Sequence, residues 1–179
     1  LAQPAIHVDY WIARMRPEDT AAAATRALAE GFTGLKFKCR YEDGNVVDRV
    51  QAILDVAPDM RVVVDPNERF HTVEQTLELA RPLEGKDVVF EDPIPKDDFG
   101  LYKRLKEETS IPIAPHLQSP MQAIEVVHRG AADAFNIGPS DWMFLHMARI
   151  AEDGGLPVWI ASNVDLGLFD VFRLHAAVA

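Results

Sequence analysis

Apolar and polar positions along this chain switch repeatedly between two periods. Short runs rich in β-branched and aromatic residues predict strands at Phe32–Lys38, Met60–Asp65, Asp87–Glu91, Ile111–Ala114, Asp133–Ile137 and Leu156–Ala161. Ile6–Ile12 alternates enough to precede them as a first strand. Helical spacing fills the intervals. Pro17 opens a helix rich in alanine that Gly31 stops. Asp43 is the expected cap of the next helix, where Val46, Val47, Val50, Ile53 and Leu54 form one apolar stripe. Thr72 caps a helix carrying Val73, Thr76, Leu77, Ala80 and Leu83, and Phe99–Glu108 makes a shorter one. Ser119 and Pro120 start a helix that runs to Gly130, and Ser140 starts one that runs to about Asp153 before Gly154 and Gly155. Gly167–Val178 reads as the last helix. The pattern is about seven βα units with no linker between them. The strands are nearly continuous apolar runs, as in a parallel sheet covered on both faces.

Two architectures fit, a (β/α) TIM-type barrel and an open doubly wound sheet. Successive strands end in chemically capable groups at near-even intervals: Lys38, Asp65, Glu91 and, one unit further, His116. An open sheet concentrates its site at one switch point, whereas a barrel collects residues from many strand ends. The barrel is therefore favoured. A full barrel of eight units usually needs about 250 residues, so residues 1–179 are expected to be a partial barrel domain without its last unit. The chain starts at Leu1 rather than Met and stops inside an apolar stretch, so it is expected to be a piece of a longer protein.

Composition narrows the function. A net charge of −10 argues against a nucleic-acid or anionic-membrane surface. No run of about 20 apolar residues spans a membrane. A single cysteine, Cys39, excludes an internal disulfide framework and fits a reducing cytoplasm. The expected partners are a small molecule and further copies of the same chain.

Side chains two apart on a strand share a face, so Lys36 and Lys38 point together with Phe37 opposed to them. Two adjacent buried lysines are expected to depress each other's pKa, which would make one of them a base; the alternative is one solvent-facing and one rim lysine. Asp65 and Glu91 at neighbouring strand ends make a hard oxygen site suited to Mg²⁺, or they cap helices and pair with Arg69 or Lys96. His116 is a metal ligand or a hydrogen-bonded rim residue. Asp133 orients a base, contacts substrate or is solvated, while Asn163 and Asp165 after the seventh strand are candidate substrate contacts. Trp142, Phe144 and Met147 lie at helix-core spacing.

Taken in order, these motifs resemble a known family. Lys36-Phe37-Lys38 is similar to the K-x-K motif of the enolase superfamily, in its mandelate racemase/muconate lactonizing enzyme branch. Asp65-Pro66-Asn67 resembles the D-x-N motif, Glu91-Asp92-Pro93 the E-D-P motif, and Gly130–Gly138 the sixth strand. The resemblance implies a barrel domain that follows an N-terminal capping domain, which this chain lacks. It implies Mg²⁺ on Asp65 and Glu91, with His116 or water in place of the usual third acid, and a substrate carboxylate on the metal. It implies Lys38 as the base that removes the α-proton, Lys36 as its partner, and Asn67 among the substrate contacts. The second base is replaced by Asn136 and Gly138 on strand six, and the alternative histidine on strand seven by Ala161. A dehydration or cycloisomerisation through one base is therefore expected, the alternative being an inactive barrel that binds a ligand without turnover.

Overall fold

β-Branched density builds the wall of the fold. The computed structural model describes residues 5–138, 143–161 and 167–178. In chain order the strands and helices are β1 (Tyr10–Ile12), α1 (Pro17–Ala29), β2 (Gly34–Lys38), α2 (Val46–Val56), β3 (Arg61–Asp65), α3 (Val73–Ala80), β4 (Val88–Glu91), α4 (Phe99–Glu108), β5 (Ile113–Ala114), β6 (His116–Leu117), α5 (Pro120–Arg129), β7 (Phe135–Ile137), α6 (Met143–Asp153), β8 (Val158–Ile160) and α7 (Gly167–Ala177). Strands β1 to β5 lie side by side in order, as do β6 to β8, and every pairing is parallel. Apart from β5 and β6, which follow one another directly, strand and helix alternate, which is the architecture of a partial TIM-type barrel. Among the described residues, no helix is long and apolar enough to cross a membrane.

The expected fifth strand, Ile111–Ala114, is shortened to Ile113–Ala114, and a further strand, His116–Leu117, follows it. Pro115 separates the two, because proline has no N–H to give the ladder. Ala114 pairs with β4 before the break and His116 with β7 after it. Carbonyls still carry the wall across: Asp133 N–H donates to Ile113 O at 2.9 Å, and Asn136 N–H donates to Pro115 O at 3.0 Å. The first strand is also shorter than its alternation predicts. Among the described residues before Tyr10, none pairs with β2 in the ladder, and Asp9 instead accepts from Arg61 Nη2 at 2.9 Å.

Helix starts follow side-chain capping in two of the expected places. Thr72 accepts from Gln75 N–H, Ser119 accepts from Gln122 N–H, and Pro120 occupies the first position of α5. Gly130 ends α5 in the left-handed region at φ 64°, which glycine adopts without strain. Asp43 does not cap α2. It closes the short 3₁₀ turn Tyr41–Asp43 by accepting from Arg40 N–H at 2.9 Å, and Asn45 leads into α2 without a side-chain cap. Ser140 and Trp142 lie outside the described residues.

The apolar core fills the space between the sheets and the helices. Phe37, Val62, Val64, Phe90, Phe135 and Ile137 point outward into it, against Ala23, Val50, Ile53, Leu77, Leu105 and Met147 from the helices. Burying a side chain such as Phe90, which meets Phe70 edge to face at 5.6 Å, contributes about 1.5–3 kcal/mol.

One cation lies inside this apolar layer. Arg49 of α2 is fully buried, and its guanidinium sits 4.1 Å over the Phe37 ring. It donates to Lys38 O and Ala13 O at 2.9 Å each and to Thr20 Oγ1 at 3.1 Å. It thereby fixes the carboxyl end of β2. Arg49→Met, which keeps bulk but strands two carbonyls, is expected to lower stability by about 2–4 kcal/mol in urea unfolding. A change below about 0.5 kcal/mol, the usual surface value, would show that the guanidinium holds nothing.

Candidate active site

Parallel pairing puts register partners on the same face, so the ladder decides which side chains meet. Lys38 lies beside Asp65, Glu91 beside Ala114, and His116 beside Asn136, which lies beside Trp159. Lys36 and Lys38 share the inner face of β2, while Phe37 between them is in the outer core. The inner face near the carboxyl ends of the strands thus gathers Lys36, Lys38, Asp65, Glu91, His116, Asn136 and Trp159.

Four of these form one charged cluster. Lys36 Nζ pairs with Asp65 Oδ2 at 2.8 Å and also donates to Glu91 Oε1. Lys38 Nζ pairs with the same Asp65 Oδ2 and donates to Asn67 Oδ1 at 2.7 Å. Asn67 N–H donates to Asp65 Oδ1 at 3.0 Å, so Asp65 is held from three sides. Trp159 Nε1 donates to Glu91 Oε2 at 3.4 Å. Both acids are buried, whereas the two lysines keep partial contact with solvent.

Burial and neighbours set the charges here. Burial works against the Lys36 cation, but Glu91 and Asp65 outweigh it and its pKa is raised. The expected mutual depression of two lysines is therefore not what governs Lys36, because carboxylates stand against it. Burial likewise opposes the Asp65 charge, but Lys36, a hydrogen bond with Glu91 and Lys38 prevail, and its pKa is lowered. Glu91 is pushed up to about 7 by burial and then by Asp65, with Lys36 opposing. His116 is pushed down to about 4 by burial and then by Lys96 and Lys36, which makes it a neutral imidazole at pH 7.

A second cluster props the rim. Asp92 is buried and takes a left-handed φ of 47°. Its Oδ1 accepts from His116 N–H at 2.6 Å, and its Oδ2 pairs with Lys96 Nζ at 2.8 Å, while Lys96 also binds Glu68. Glu68 N–H in turn donates to Asp92 O at 2.7 Å. The loops after β3 and β4 and the start of β6 are thereby tied together. It is Asp92, not Glu91, that pairs with Lys96. The sequence carries no local signal for this clamp, because Asp92 and Lys96 meet in a loop whose path is set by Pro93 and Pro95 and not by helical spacing. Trp159 carries a weak signal, an indole at an inner-facing position of a strand.

Other sequence-based expectations fall differently. Asp133 precedes β7, at the opposite end of the strands from the charged cluster. Its Oδ2 accepts from Ile113 N–H at 2.9 Å, and its Oδ1 pairs with Lys106 at 3.0 Å. Asp133 therefore joins β5, β7 and α4 and is not placed to contact substrate. Asn163 and Asp165 lie outside the described residues. Among the described residues, no group of three or more His, Cys, Asp or Glu side chains is disposed to hold a metal ion, so His116 does not complete a set of three with Asp65 and Glu91. The two acids alone match the needs of Mg²⁺, which commonly takes one or two carboxylates and fills its other positions with water and substrate oxygens. A divalent cation would also offset the burial and the Asp65 charge that together push the Glu91 pKa up to about 7.

Comparison with known proteins places this geometry. Residues 19–179 match the family model described as enolase C-terminal domain-like. The chain is 26% identical over 166 residues to the N-succinylamino acid racemase of Thermus thermophilus, covering 89% of this chain and 44% of the relative. It is 30% identical over 161 residues to the arabinonate dehydratase of Saccharolobus solfataricus, covering 83% and 42%. A solved mandelate racemase/muconate lactonizing enzyme from Roseiflexus sp. superposes with a TM-score of 0.87 at 27% identity, over 99% of this chain and 54% of that one. The chain thus spans about half the length of these relatives or somewhat less.

The Glu91 carboxyl makes stability depend on pH with a definite sign. Below about pH 4.5 it is protonated in both the folded and unfolded chain. Between there and about 7 the unfolded chain has released the proton and the folded one has not, so stability falls as pH rises and levels off above about 7. In chelator, Glu91→Gln is expected to remove a decline on the order of a few kcal/mol across that window, measured by urea unfolding at pH 5 and pH 7.5. An equal decline in the variant would assign the effect to another group.

Proposed function

This chain belongs to the enolase C-terminal domain-like family, and on that footing we propose that it carries the site for Mg²⁺-dependent removal of the proton α to a carboxylate. The substrate class is a small hydroxy or sugar acid or an amino-acid derivative, and the outcome is dehydration or isomerisation. The observation that carries this reading is the meeting of Lys36 and Lys38 with Asp65 and Glu91 on one inner face. The relatives support the reaction class. Racemising an amino acid and dehydrating a sugar acid both begin at a carbon bearing an acidified C–H.

Asp65 and Glu91 are the residues that would hold the Mg²⁺. When bound, the ion supplies the positive charge that stabilises a carboxylate as it gains a second negative charge. Lys38 Nζ takes the α-proton in its free-amine form, and the electron pair left behind delocalises into the carboxylate as an enediolate. Lys36, kept cationic by Glu91 and Asp65, presents fixed charge beside that enediolate. Asn67 Oδ1 orients the Lys38 amine and lies at the substrate side of the rim. Asn163 and Asp165 are further substrate contacts in this proposal. The enediolate then expels a β-hydroxyl, which leaves as water with the proton that Lys38 has taken, or, in a cycloisomerisation, expels a β-acyloxy group of the same molecule, which takes that proton and stays attached as a free acid. A cytoplasmic homo-oligomer acting on a free acid completes the proposal, and the buried free thiol of Cys39 fits a reducing compartment.

The bridging of both acids by Lys36 favours one second reading, an inactive barrel that binds a carboxylate without turnover. Exchange of the substrate α-proton in D₂O, followed by NMR with Mg²⁺ and a panel of hydroxy, sugar and N-acylamino acids, separates the two. Exchange with at least one acid, lost in chelator and at least about 100-fold slower in Lys38→Met, is the expected result. Equal exchange by Lys38→Met would remove Lys38 from the base role. Binding with no exchange would leave the inactive barrel.

A further inference from the structure

Asn136 lies at the centre of β7 and is wholly buried, yet neither its side-chain oxygen nor its nitrogen has a hydrogen-bond partner. Buried amides in folded proteins are nearly always paired, so an orphaned donor and acceptor on one side chain need a reason. The neighbours Phe135 and Ile137 point into the apolar core, which turns Asn136 to the opposite, inner face. Its register partners there are His116 and Trp159, and the Trp159 indole reaches Glu91. Two residues further on, towards the carboxyl end, Gly138 carries no side chain, and a Cβ there would lie 3.5 Å from His116 Nε2. Among the described residues, nothing projects inward from this strand beyond Asn136.

We propose that Asn136 reads the substrate: its carboxamide pairs with a neutral hydroxyl or amide group attached beside the carboxylate. The inference rests on the proposed carboxylate site and specifies its substrate class. A hydroxyl or an amide offers both a donor and an acceptor, matching the two orphaned atoms, whereas a second carboxylate would offer only acceptors. The surroundings agree, because His116, Trp159 and Asn136 present hydrogen-bonding groups without an anion or a lysine on those three strands. Trp159 is the side chain that gives way on entry, since its bond to Glu91 is long at 3.4 Å and its ring is only partly buried.

The test is a ligand-observed NMR titration of the protein in saturating MgCl₂ with three probes: propanoate, 2-hydroxypropanoate and N-acetylalanine. It is run beside urea unfolding of wild type and Asn136→Leu. The expected wild type binds the hydroxy or the N-acyl acid about tenfold more tightly than propanoate, as one well-made hydrogen bond to a buried amide allows. Asn136→Leu keeps the propanoate affinity, loses that preference, and unfolds at the same or a higher urea concentration, because an unpaired polar group has been replaced by an apolar one of similar size. A preference that survives in the variant overturns the proposal. So does a marked fall in the unfolding midpoint of both Asn136→Leu and Asn136→Ala, the signature of an amide that is paired within the fold. Equal wild-type affinity for all three acids also overturns it while leaving the carboxylate site standing. Failure of wild type to bind any of them removes the carboxylate site itself, and this subsite with it.

Discussion

Two carboxylates buried side by side cannot both stay charged unless cations stand against them. At an effective dielectric constant near 20, like charges about 4 Å apart repel by about 4 kcal/mol. The fold meets this constraint with two ammonium groups sharing Asp65 Oδ2, one of which also reaches Glu91. The arrangement is unequal. Burial opposes both charges; with two lysines Asp65 is held low against it, while Glu91, raised by burial and then by Asp65, has one lysine and is held high. Such a cluster is tolerated in the interior only as a unit, since loss of one member leaves an uncompensated buried charge. It is also a cluster that a divalent cation would rearrange, because it holds two acids whose repulsion the lysines only partly offset.

The rest of the structure keeps those four side chains in reach of one another. Parallel register sets Lys38 beside Asp65, and Arg49 anchors the carbonyl of Lys38 from the helix side while stacking on Phe37. From the rim, Asp92 ties β6 to the loop after β4, and Lys96 with Glu68 ties that loop to the one after β3. Asn67, Glu68, His71 and Asp92 all take left-handed φ values, between 47° and 68°. For residues other than glycine each costs about 1 kcal/mol or more. Two of the four, Glu68 and Asp92, belong to the clamp, where Glu68 N–H donates to Asp92 O at 2.7 Å and Lys96 binds both side chains.

Much of this was legible in the sequence, for identifiable reasons. Continuous runs such as Val62–Val64 can only be buried strands, and the two-residue repeat of a strand put Lys36 and Lys38 on one face without any structure. Thr72 and Ser119 act over three residues, so their caps could be read locally. What stayed hidden depends on distant partners. Asp133 has the composition of a site residue, and only its bonds to Ile113 and Lys106 assign it to the far end of the barrel. The Lys36 shift reverses the expectation from two adjacent lysines because the deciding acids lie on other strands. Pro115 was visible, but whether it ends a strand or splits one depends on which neighbours supply carbonyls. Asn136 looks like any polar residue in a strand until its lack of a partner is known.

The two sheets divide the inner face by charge, and this bears on the chemistry. Lysines and paired acids come from β2, β3 and β4, while β6, β7 and β8 contribute a neutral imidazole, an unpaired amide and an indole. A reaction that needs a base on each side of the substrate would require a second proton acceptor of suitable strength on that neutral half. His116, with a pKa pushed down to about 4, is a weak acceptor but a serviceable neutral hydrogen-bond partner. The half opposite the lysines is therefore built to recognise rather than to abstract. In the proposed reaction that asymmetry favours a proton removed, and a β-group expelled with it, on the lysine side alone, with the other half deciding which acid is held there.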